Sequence, residues 1–260
     1  MKSLKKILFT VIVACSFSGI AQIKEHCGEI HYSQVTNFSR TFEKNYILFF
    51  NKSNSIYKET KINTKKLQLS QTDSDKGQQL TNDMARNNLT PEYFYNDIKS
   101  FYFMEIWYDQ ELVVKENKLN WQWTLHKETK KLGKFTCQKA TANFRGRNYI
   151  AWFTTEIPTF FGPRKFNGLT GLILEVYDED KVFHTLASKI KITNTSECNI
   201  PIDKGNFNKA LTIKEYNIKK TELIKADFAK LASRMPKGYR NLKLDENCND
   251  CKEEIEKFND

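Results

Sequence analysis

The sequence predicts a mainly β protein: a curved antiparallel sheet, either an open half-barrel or a meander, with one C-terminal packing helix. Short runs rich in β-branched and aromatic residues recur along the chain with polar turns between them, as in neighbouring antiparallel strands. Phenylalanine and tyrosine number 19 and 11, enough to build a large core. One segment near the C-terminus has the spacing of apolar residues typical of a helix face.

The chain begins with a segment typical of a secretory signal peptide, residues 1–21. Three lysines precede an apolar stretch, and small residues lead up to Ala21. We therefore expect cleavage after Ala21, which leaves residues 22–260 as a single mostly β domain. Acylation of Cys15, as in a lipoprotein, is the second alternative. The apolar stretch is shorter than the about 20 residues that span a bilayer, and no other run approaches that length, so we expect no transmembrane segment in the mature chain.

The first half of the chain predicts six short strands separated by polar turns. They cover residues 28–36, 46–51, 55–61, 101–108, 111–115 and 120–126. Between them, residues 62–96 are rich in Thr, Asn, Gln, Lys and Asp, and we interpret this segment as a polar, mobile excursion from the domain.

The second half predicts a hairpin, further strands and the helix. Two apolar-rich runs, 134–144 and 149–155, flank a turn in which Gly146 can supply the positive φ of a tight turn. Strands are predicted at 172–177 and 182–192. For the helix we expect Thr221 to be the N-cap, with apolar residues on one face long enough to lie across the sheet.

The run CQKATANFRGRNYIAWFTTEIPTFFGPRKFNGLTGLILEVYDED, residues 137–180, resembles the signature region of the GLPGLI family. The motif that names the family corresponds to residues 168–173, with Thr170 where the family has proline. We expect a type II turn in which Gly171 takes the positive φ. The residues that carry the motif are expected to be structural: Arg145, Gly146, Arg147, Gly162, Pro163, Gly168, Leu169 and Gly171. The resemblance implies an exported protein of Gram-negative bacteria with no established activity, and we expect it to be periplasmic, envelope-associated or extracellular.

Charge patterning argues against nucleic-acid binding. Removal of residues 1–21 lowers the net charge from +10 to +7, and the basic excess is scattered along the chain. Nucleic-acid binders gather their basic residues on one face. Sequential strand pairing would instead bring the acidic turn 178–180 toward Arg145 and Arg147, and we expect a salt-linked rim there.

The cysteines carry an alternative hypothesis. Cys137 is expected to be a small buried hydrophobe, while Cys27, Cys198, Cys248 and Cys251 could form two disulfides. The alternative is a metal-handling protein, because imidazole and thiolate ligands suit zinc or copper. Its ligands would be His26, Cys27, His31, Cys248 and Cys251.

The sequence favours a non-catalytic binding or assembly module over an enzyme. Its four histidines lie in no recognisable catalytic signature, and we expect no catalytic residues and no cofactor. The partner would be an envelope protein or a hydrophobic ligand in an apolar groove lined by aromatic residues such as Trp121 and Trp123. If those aromatics close into a dry core with no cavity, the ligand-carrier hypothesis fails and partner binding alone remains. Candidate contact residues are Trp152, Phe160, Phe161, Arg164 and Lys165.

Overall fold

The computed structural model describes residues 27–38, 41–60, 92–97, 99–108, 110–117, 119–193, 198–234 and 255–256. These residues form eleven β-strands, a short 3-10 helix at Phe207–Lys209 and one α-helix. The elements are β1 (Cys27–Asn37), β2 (Thr41–Phe50), β3 (Asn54–Glu59), β4 (Tyr93–Asp97), β5 (Ser100–Trp107), β6 (Gln110–Asn117), β7 (Thr124–Leu132), β8 (Phe135–Phe144), β9 (Arg147–Thr154), β10 (Leu172–Asp178), β11 (Phe183–Thr193) and α1 (Ile213–Arg234).

All described strands belong to one antiparallel sheet, in the order β6-β5-β4-β3-β2-β1-β11-β10-β9-β8-β7. Consecutive strands therefore pair, except β6 and β7, which lie at the two edges of the sheet. The first and last strands, β1 and β11, pair in the middle of the sheet, where Ile30 lies opposite Ile190. The predicted mainly β architecture with sequential antiparallel pairing is confirmed.

The sheet is strongly curved. Eight inter-strand steps separate β6 from β9, and at about 4.8 Å each a flat sheet would hold them roughly 38 Å apart. Yet Arg145, in the turn before β9, places its Nη2 only 2.6 Å from the Glu116 Oε2 of β6. The sheet must therefore curl until side chains near its two ends meet, and the face that they share is called the inner face here.

Aromatic side chains fill much of the inner face. Successive side chains of a strand alternate between the two faces of the sheet. Because paired residues on neighbouring strands point to the same face, this alternation continues from strand to strand. The Tyr46 and Tyr57 rings stack with centroids 4.6 Å apart, and the Tyr32 hydroxyl donates to the Ile173 carbonyl at 2.6 Å. These buried rings close into a core rather than lining an open aromatic groove.

A loop of residues 155–171, the inserted loop, lies against the inner face. Phe166 packs between Trp121 and Tyr149, with ring centroids 4.9 and 5.0 Å away. The indole N–H groups of Trp121 and Trp123 donate to the carbonyls of Lys165 and Asn167 at 3.0 and 2.8 Å. The inserted loop therefore leads into β10 and also covers part of the inner face of the sheet.

The turn glycines differ from expectation at one position. Gly146 has φ 72° beside Arg145 at φ 47°, the two positive angles of a type I′ hairpin turn, which confirms that prediction. Gly171 does not have a positive φ, so the predicted type II turn is wrong. Within residues 168–173 the glycine with a positive φ is Gly168, at 90°. Gly171 is required for close approach, because a Cβ there would lie 2.2 Å from the Thr154 carbonyl oxygen.

The helix begins earlier than predicted and covers less of the sheet than expected. Thr212 caps it: its hydroxyl accepts from the Glu215 amide at 3.3 Å, and the Glu215 carboxylate accepts from the Thr212 amide at 2.8 Å. Thr221 lies inside the helix, where its hydroxyl donates to the Asn217 carbonyl, so it is not the cap. Of the described α1 side chains only Tyr216 is buried, and the helix packs beside β6 rather than across the sheet.

Other sequence predictions fall partly outside the described residues. The signal peptide lies wholly outside them, as does most of the 62–96 segment. Its last residues correct that interpretation, because Tyr93–Asp97 form β4, paired with β3 and β5. None of the helices described is long and apolar enough to cross a membrane.

Candidate functional site at the inner face

Two features of the structure are candidates for function. The first is a buried group of ion pairs, the ion network, formed by Arg145, Arg164, Lys165, Glu105, Glu116 and Glu256. The second is an apolar cavity, the end cavity, beside residues 156–158 that follow β9. Arg145 precedes β9, so the two features lie at opposite ends of that strand, roughly 25 Å apart.

The inserted loop turns two of its cations inward. A tight turn closes with the Phe166 amide donating to the Pro163 carbonyl at 3.0 Å, and Arg164 adopts φ 51° within it. Such a left-handed conformation costs a non-glycine residue roughly 1–2 kcal/mol, so the surrounding packing must hold it. The Arg164 guanidinium lies 4.6 Å from the Phe94 ring centroid, and the Lys165 ammonium lies 4.2 Å from that of Phe103.

Lys165 is the most buried cation of the network. Its side chain is 4% exposed, and its ammonium lies 2.5 Å from the Glu116 Oε1 and 3.0 Å from the Glu256 Oε1. Charges this far from water need partners, since an isolated buried ion is strongly unfavourable. Glu116 reaches the site from β6, on the inner face beside Phe101 and Val114.

Arginines complete the shell around the Glu256 carboxylate. Arg145 forms hydrogen bonds with Glu116 and Glu256 at once, from the tip of the β8–β9 hairpin. The Arg164 Nη2 lies 3.9 Å from Glu256 and 3.6 Å from Glu105. Three cations thus face three carboxylates.

The pKa of Glu256 reflects this shell. Burial alone would raise it, but the charges of Lys165, Arg164 and Arg145 lower the pKa of the carboxyl from its ordinary 4.5 to about 2. Glu256 is therefore ionised at neutral pH.

A second ion pair anchors the neighbouring strand end. The Arg147 Nη1 lies 3.0 Å from Asp178, and Asp178 also accepts from the Phe183 amide at 2.6 Å. This pair confirms the predicted salt-linked rim for Arg147, whereas Arg145 turns inward to the ion network. The Arg147 Nε donates to the Ile255 carbonyl at 2.7 Å, which ties the residue before Glu256 to the same strand.

The end cavity has a volume of about 660 Å³ and mainly apolar walls. Its lining comes from the β7–β8 turn, the start of the inserted loop and the ends of β10 and β11. The apolar members are Leu132, Phe135, Ile157, Pro158, Leu174, Leu186, Ala187, Ile190 and Ile192. A smaller space of about 180 Å³ borders the ion network, lined in part by Tyr46, Trp107, Arg164, Lys165 and Glu256.

The structure brings together only some of the predicted contact residues. Arg164 and Lys165 meet in the ion network. Phe161 is buried, with 8% of its surface exposed, while the adjacent Phe160 is 66% exposed. Trp152 lies on the opposite face of the sheet, with the Lys130 ammonium 4.4 Å from its ring centroid.

The disulfide in the structure removes one of the ligands proposed for a metal. Cys27 forms a disulfide with Cys198, which confirms one of the two bridges allowed by sequence and removes Cys27 as a thiolate ligand. The His31 Nε2 lies 3.0 Å from Glu29, and His26, Cys248 and Cys251 lie outside the described residues. The described part of the chain contains no group of three or more metal-ligating side chains. Cys137 is buried and unbridged, as predicted.

The acidic half of the ion network was not predicted from the sequence. Glu105 and Glu116 occupy inner-face positions of β5 and β6, between apolar residues, and that alternation was a usable signal. Glu256 lies 91 residues beyond Lys165 in a charged C-terminal segment, and no local pattern marks it.

Fold and site together define a one-sheet protein with a covered inner face. Residues 145–175 match the sequence model of a family described as a protein of unknown function, Porph_ging. That match lies within residues 137–180, the segment that carries the resemblance described above. No curated protein matches the chain in sequence.

Among solved structures, the chain is similar to PNGF-II. The structure of PNGF-II in space group P21 matches with a TM-score of 0.50 at 14% sequence identity, over 76% of this chain and 34% of that chain. The structure in space group C2 matches with a TM-score of 0.49 at 15% identity, over 76% of this chain and 33% of that chain. This chain therefore spans about a third of the length of PNGF-II, and the likeness is one of fold. A LolA superfamily protein, NE2245 from Nitrosomonas europaea, also matches, with a TM-score of 0.26 and 7% identity over 67% of this chain and 87% of that chain. A TM-score of that size carries no argument.

Proposed function

We propose that the protein is an exported, non-catalytic binding module of the cell envelope that holds a small hydrophobic ligand in the end cavity. The carrying observation is the cavity itself. Its volume of about 660 Å³ falls within the roughly 300–1,000 Å³ typical of small-molecule sites, and its walls are predominantly apolar, as in such sites.

The position of the cavity supports ligand entry from solvent. Ile157 and Leu174 are buried at 5% and 2% exposure and form its apolar floor. Ile190 and Ile192, near the end of β11, are only partly buried and lie at its margin. An apolar ligand would bury these margins and gain roughly 25 cal/mol for each Å² removed from water.

The pKa values of two buried ionisable groups, Glu256 and Cys137, support a non-catalytic role. A general acid or base works best with a pKa near the operating pH. Glu256, with its pKa lowered to about 2, is instead held ionised by three cations. Burial raises the pKa of the Cys137 thiol to about 11, which keeps this group from acting as a nucleophile.

Export is supported by two independent features. The Cys27–Cys198 disulfide joins residues 171 positions apart, and structural disulfides persist in oxidising compartments. The sequence resembles the exported GLPGLI family over residues 137–180. Membership in that family and a periplasmic or envelope location are part of this proposal.

Binding of dansyl-labelled undecanoic acid tests the ligand hypothesis. The full mature chain should give saturable, blue-shifted dansyl fluorescence. Ile190→Asp places a carboxylate at the margin of the cavity and should weaken binding about tenfold or more, which corresponds to 1.4 kcal/mol. Ile218→Asp is the matched control, because Ile218 is 53% exposed on α1 and does not line the end cavity.

Two results would overturn the proposal. One is the absence of saturable binding to the wild-type chain; the other is an equal loss of affinity in the two variants. Native mass spectrometry of protein purified from the envelope provides a second measurement, in which a retained lipid-like mass supports the hydrophobic ligand. A co-purifying protein in place of such a mass would favour the assembly-module alternative.

A further inference from the structure

The ion network holds a carboxylate that belongs to a distant part of the chain. Glu256 is joined to α1 through residues 235–254, which lie outside the described residues, and its side chain is only 7% exposed. Its carboxylate is bound by Lys165 at 3.0 and 3.1 Å, by Arg145 and, at 3.9 Å, by Arg164. The cations come from the sheet and the inserted loop, so they form a preassembled receptor for this carboxylate.

The receptor also recognises the residue before the carboxylate. The Ile255 carbonyl accepts from the Arg147 Nε at 2.7 Å and from the Tyr149 hydroxyl at 3.5 Å. The Ile255 side chain is half-buried and packs against the hydrophobic core. An apolar side chain, a backbone carbonyl and a carboxylate are thus each bound, and these are the features of a peptide.

Charge balance shows why this site requires an anion. Without Glu256, the cations Arg145, Arg164 and Lys165 would face only two network carboxylates, Glu105 and Glu116. Loss of the Glu256 carboxylate would remove a negative charge from a buried, cation-rich site, which is strongly unfavourable. Any ligand that displaces Glu256 must therefore supply a negative charge.

We propose that these cations, with Arg147 and Tyr149, form a binding site for an acidic peptide segment of a partner protein, and that Ile255–Glu256 occupies this site in cis. The segment would present an apolar residue followed by glutamate. The space of about 180 Å³ beside Glu256 borders Trp107 and Tyr46 and offers room for a further side chain of such a segment. This proposal is independent of the end cavity, which lies at the other end of β9.

Competition with a synthetic peptide tests the site. The probe is a fluorescein-labelled, amidated peptide with the sequence of residues 252–259, KEEIEKFN, and its control is KEEIQKFN, in which the key glutamate is replaced by glutamine. In the full chain, Glu256→Lys should remove the competing cis carboxylate. We expect this variant to bind the glutamate probe at least tenfold more tightly than the wild type does, because a tethered copy competes at an effective concentration on the order of mM.

The same variant should prefer the glutamate probe to the glutamine probe by tenfold or more. Lys165→Met in the Glu256→Lys background should abolish that preference, because it removes the cation closest to the carboxylate. Lys139→Met is the matched control: Lys139 pairs with Glu128 on the sheet surface, so the preference should survive.

Three results would overturn the proposal. The first is the absence of saturable binding of the glutamate probe to the folded Glu256→Lys variant. The second is equal affinity of that variant for the two probes. The third is a wild-type chain that sediments as a dimer with Glu256 exchanged between copies. If Glu256→Lys does not fold, hydrogen exchange of the wild-type chain replaces it. An excess of glutamate probe should then accelerate exchange at residues 255–256, and unchanged exchange would refute the site.

Discussion

The Glu256→Gln substitution tests whether the ion network stabilises the fold through a buried carboxylate. Glutamine keeps the shape of the side chain and removes its charge. The pKa of Glu256 is about 2 in the folded chain against an ordinary 4.5, and at roughly 1.36 kcal/mol per pKa unit this difference corresponds to about 3 kcal/mol. That is a large share of the about 5–15 kcal/mol that stabilises a typical domain.

The pH dependence has a definite sign. Because the folded-state pKa is depressed, the ionised carboxylate stabilises the protein fully above pH 4.5, and the effect is lost as the pH falls toward 2. The difference between wild type and variant in urea unfolding should therefore be about 3 kcal/mol at pH 7. It should shrink to about 1 kcal/mol at pH 3.

A difference below about 1 kcal/mol at pH 7, or one that is the same at pH 7 and pH 3, would refute this reasoning. Glu222→Gln is the matched control, because Glu222 pairs with Lys219 on the exposed side of α1 and should leave the unfolding curve unchanged. If residues 255–256 detach from the variant without unfolding the sheet, the loss is capped at their docking free energy, and hydrogen exchange confined to them would reveal it.

Three further predictions concern the fold. Reduction of Cys27–Cys198, or replacement of both residues by serine, should lower the free energy of unfolding by about 2–5 kcal/mol in urea titrations, because the bridge closes a loop across most of the domain. Gly171→Ala should cost at least about 1–3 kcal/mol and lower the melting temperature, since its Cβ would meet the Thr154 carbonyl oxygen. Cys137, fully buried and with its pKa raised to about 11, should react with iodoacetamide only after unfolding, as followed by mass spectrometry.

Each of these has a control and a refuting outcome. Reductant should not change the unfolding of the double serine variant; if it does, another bridge is responsible. Gly133→Ala should cost only about 1 kcal/mol, because its φ is 56° but nothing lies within 4 Å of the added Cβ. A larger loss at Gly133 than at Gly171 would contradict the close-approach argument, and alkylation of Cys137 in native buffer would contradict its burial.

The strands could be predicted because their signal is local. Alternation of apolar and polar side chains marks β1, a continuous apolar run marks β9, and Gly146 marks the hairpin between β8 and β9. The strand β4 was missed because Tyr93–Asp97 is short and follows a long polar segment. The helix start was misplaced although Thr212 and Glu215 form a capping box, a pattern visible in the sequence.

The ion network could not be predicted because its contacts are not local. Sequence alone marks Arg164 and Lys165 as exposed loop cations, since nothing nearby in the chain pairs with them. Their partners lie 49 residues before and 91 residues after Lys165, and they meet only because the sheet curls. Curvature over eleven strands is a sum of small twists, which no short window of sequence specifies.

The glycine-rich segment and the candidate site are physically one unit. Gly162 lets the inserted loop fold tightly, because a Cβ there would lie 2.7 Å from the Phe166 carbonyl oxygen, and Gly171 lets the loop end against β9. This tight path turns Arg164 and Lys165 toward the sheet rather than toward solvent.

The segment that matches the family, residues 145–175, contains all four cations that surround residues 255–256, namely Arg145, Arg147, Arg164 and Lys165. The carboxylates lie outside it, on β5, on β6 and near the C-terminus. A motif that builds the cationic half of a site, and leaves its anion to a distant segment, is suited to a receptor whose acidic partner can be exchanged.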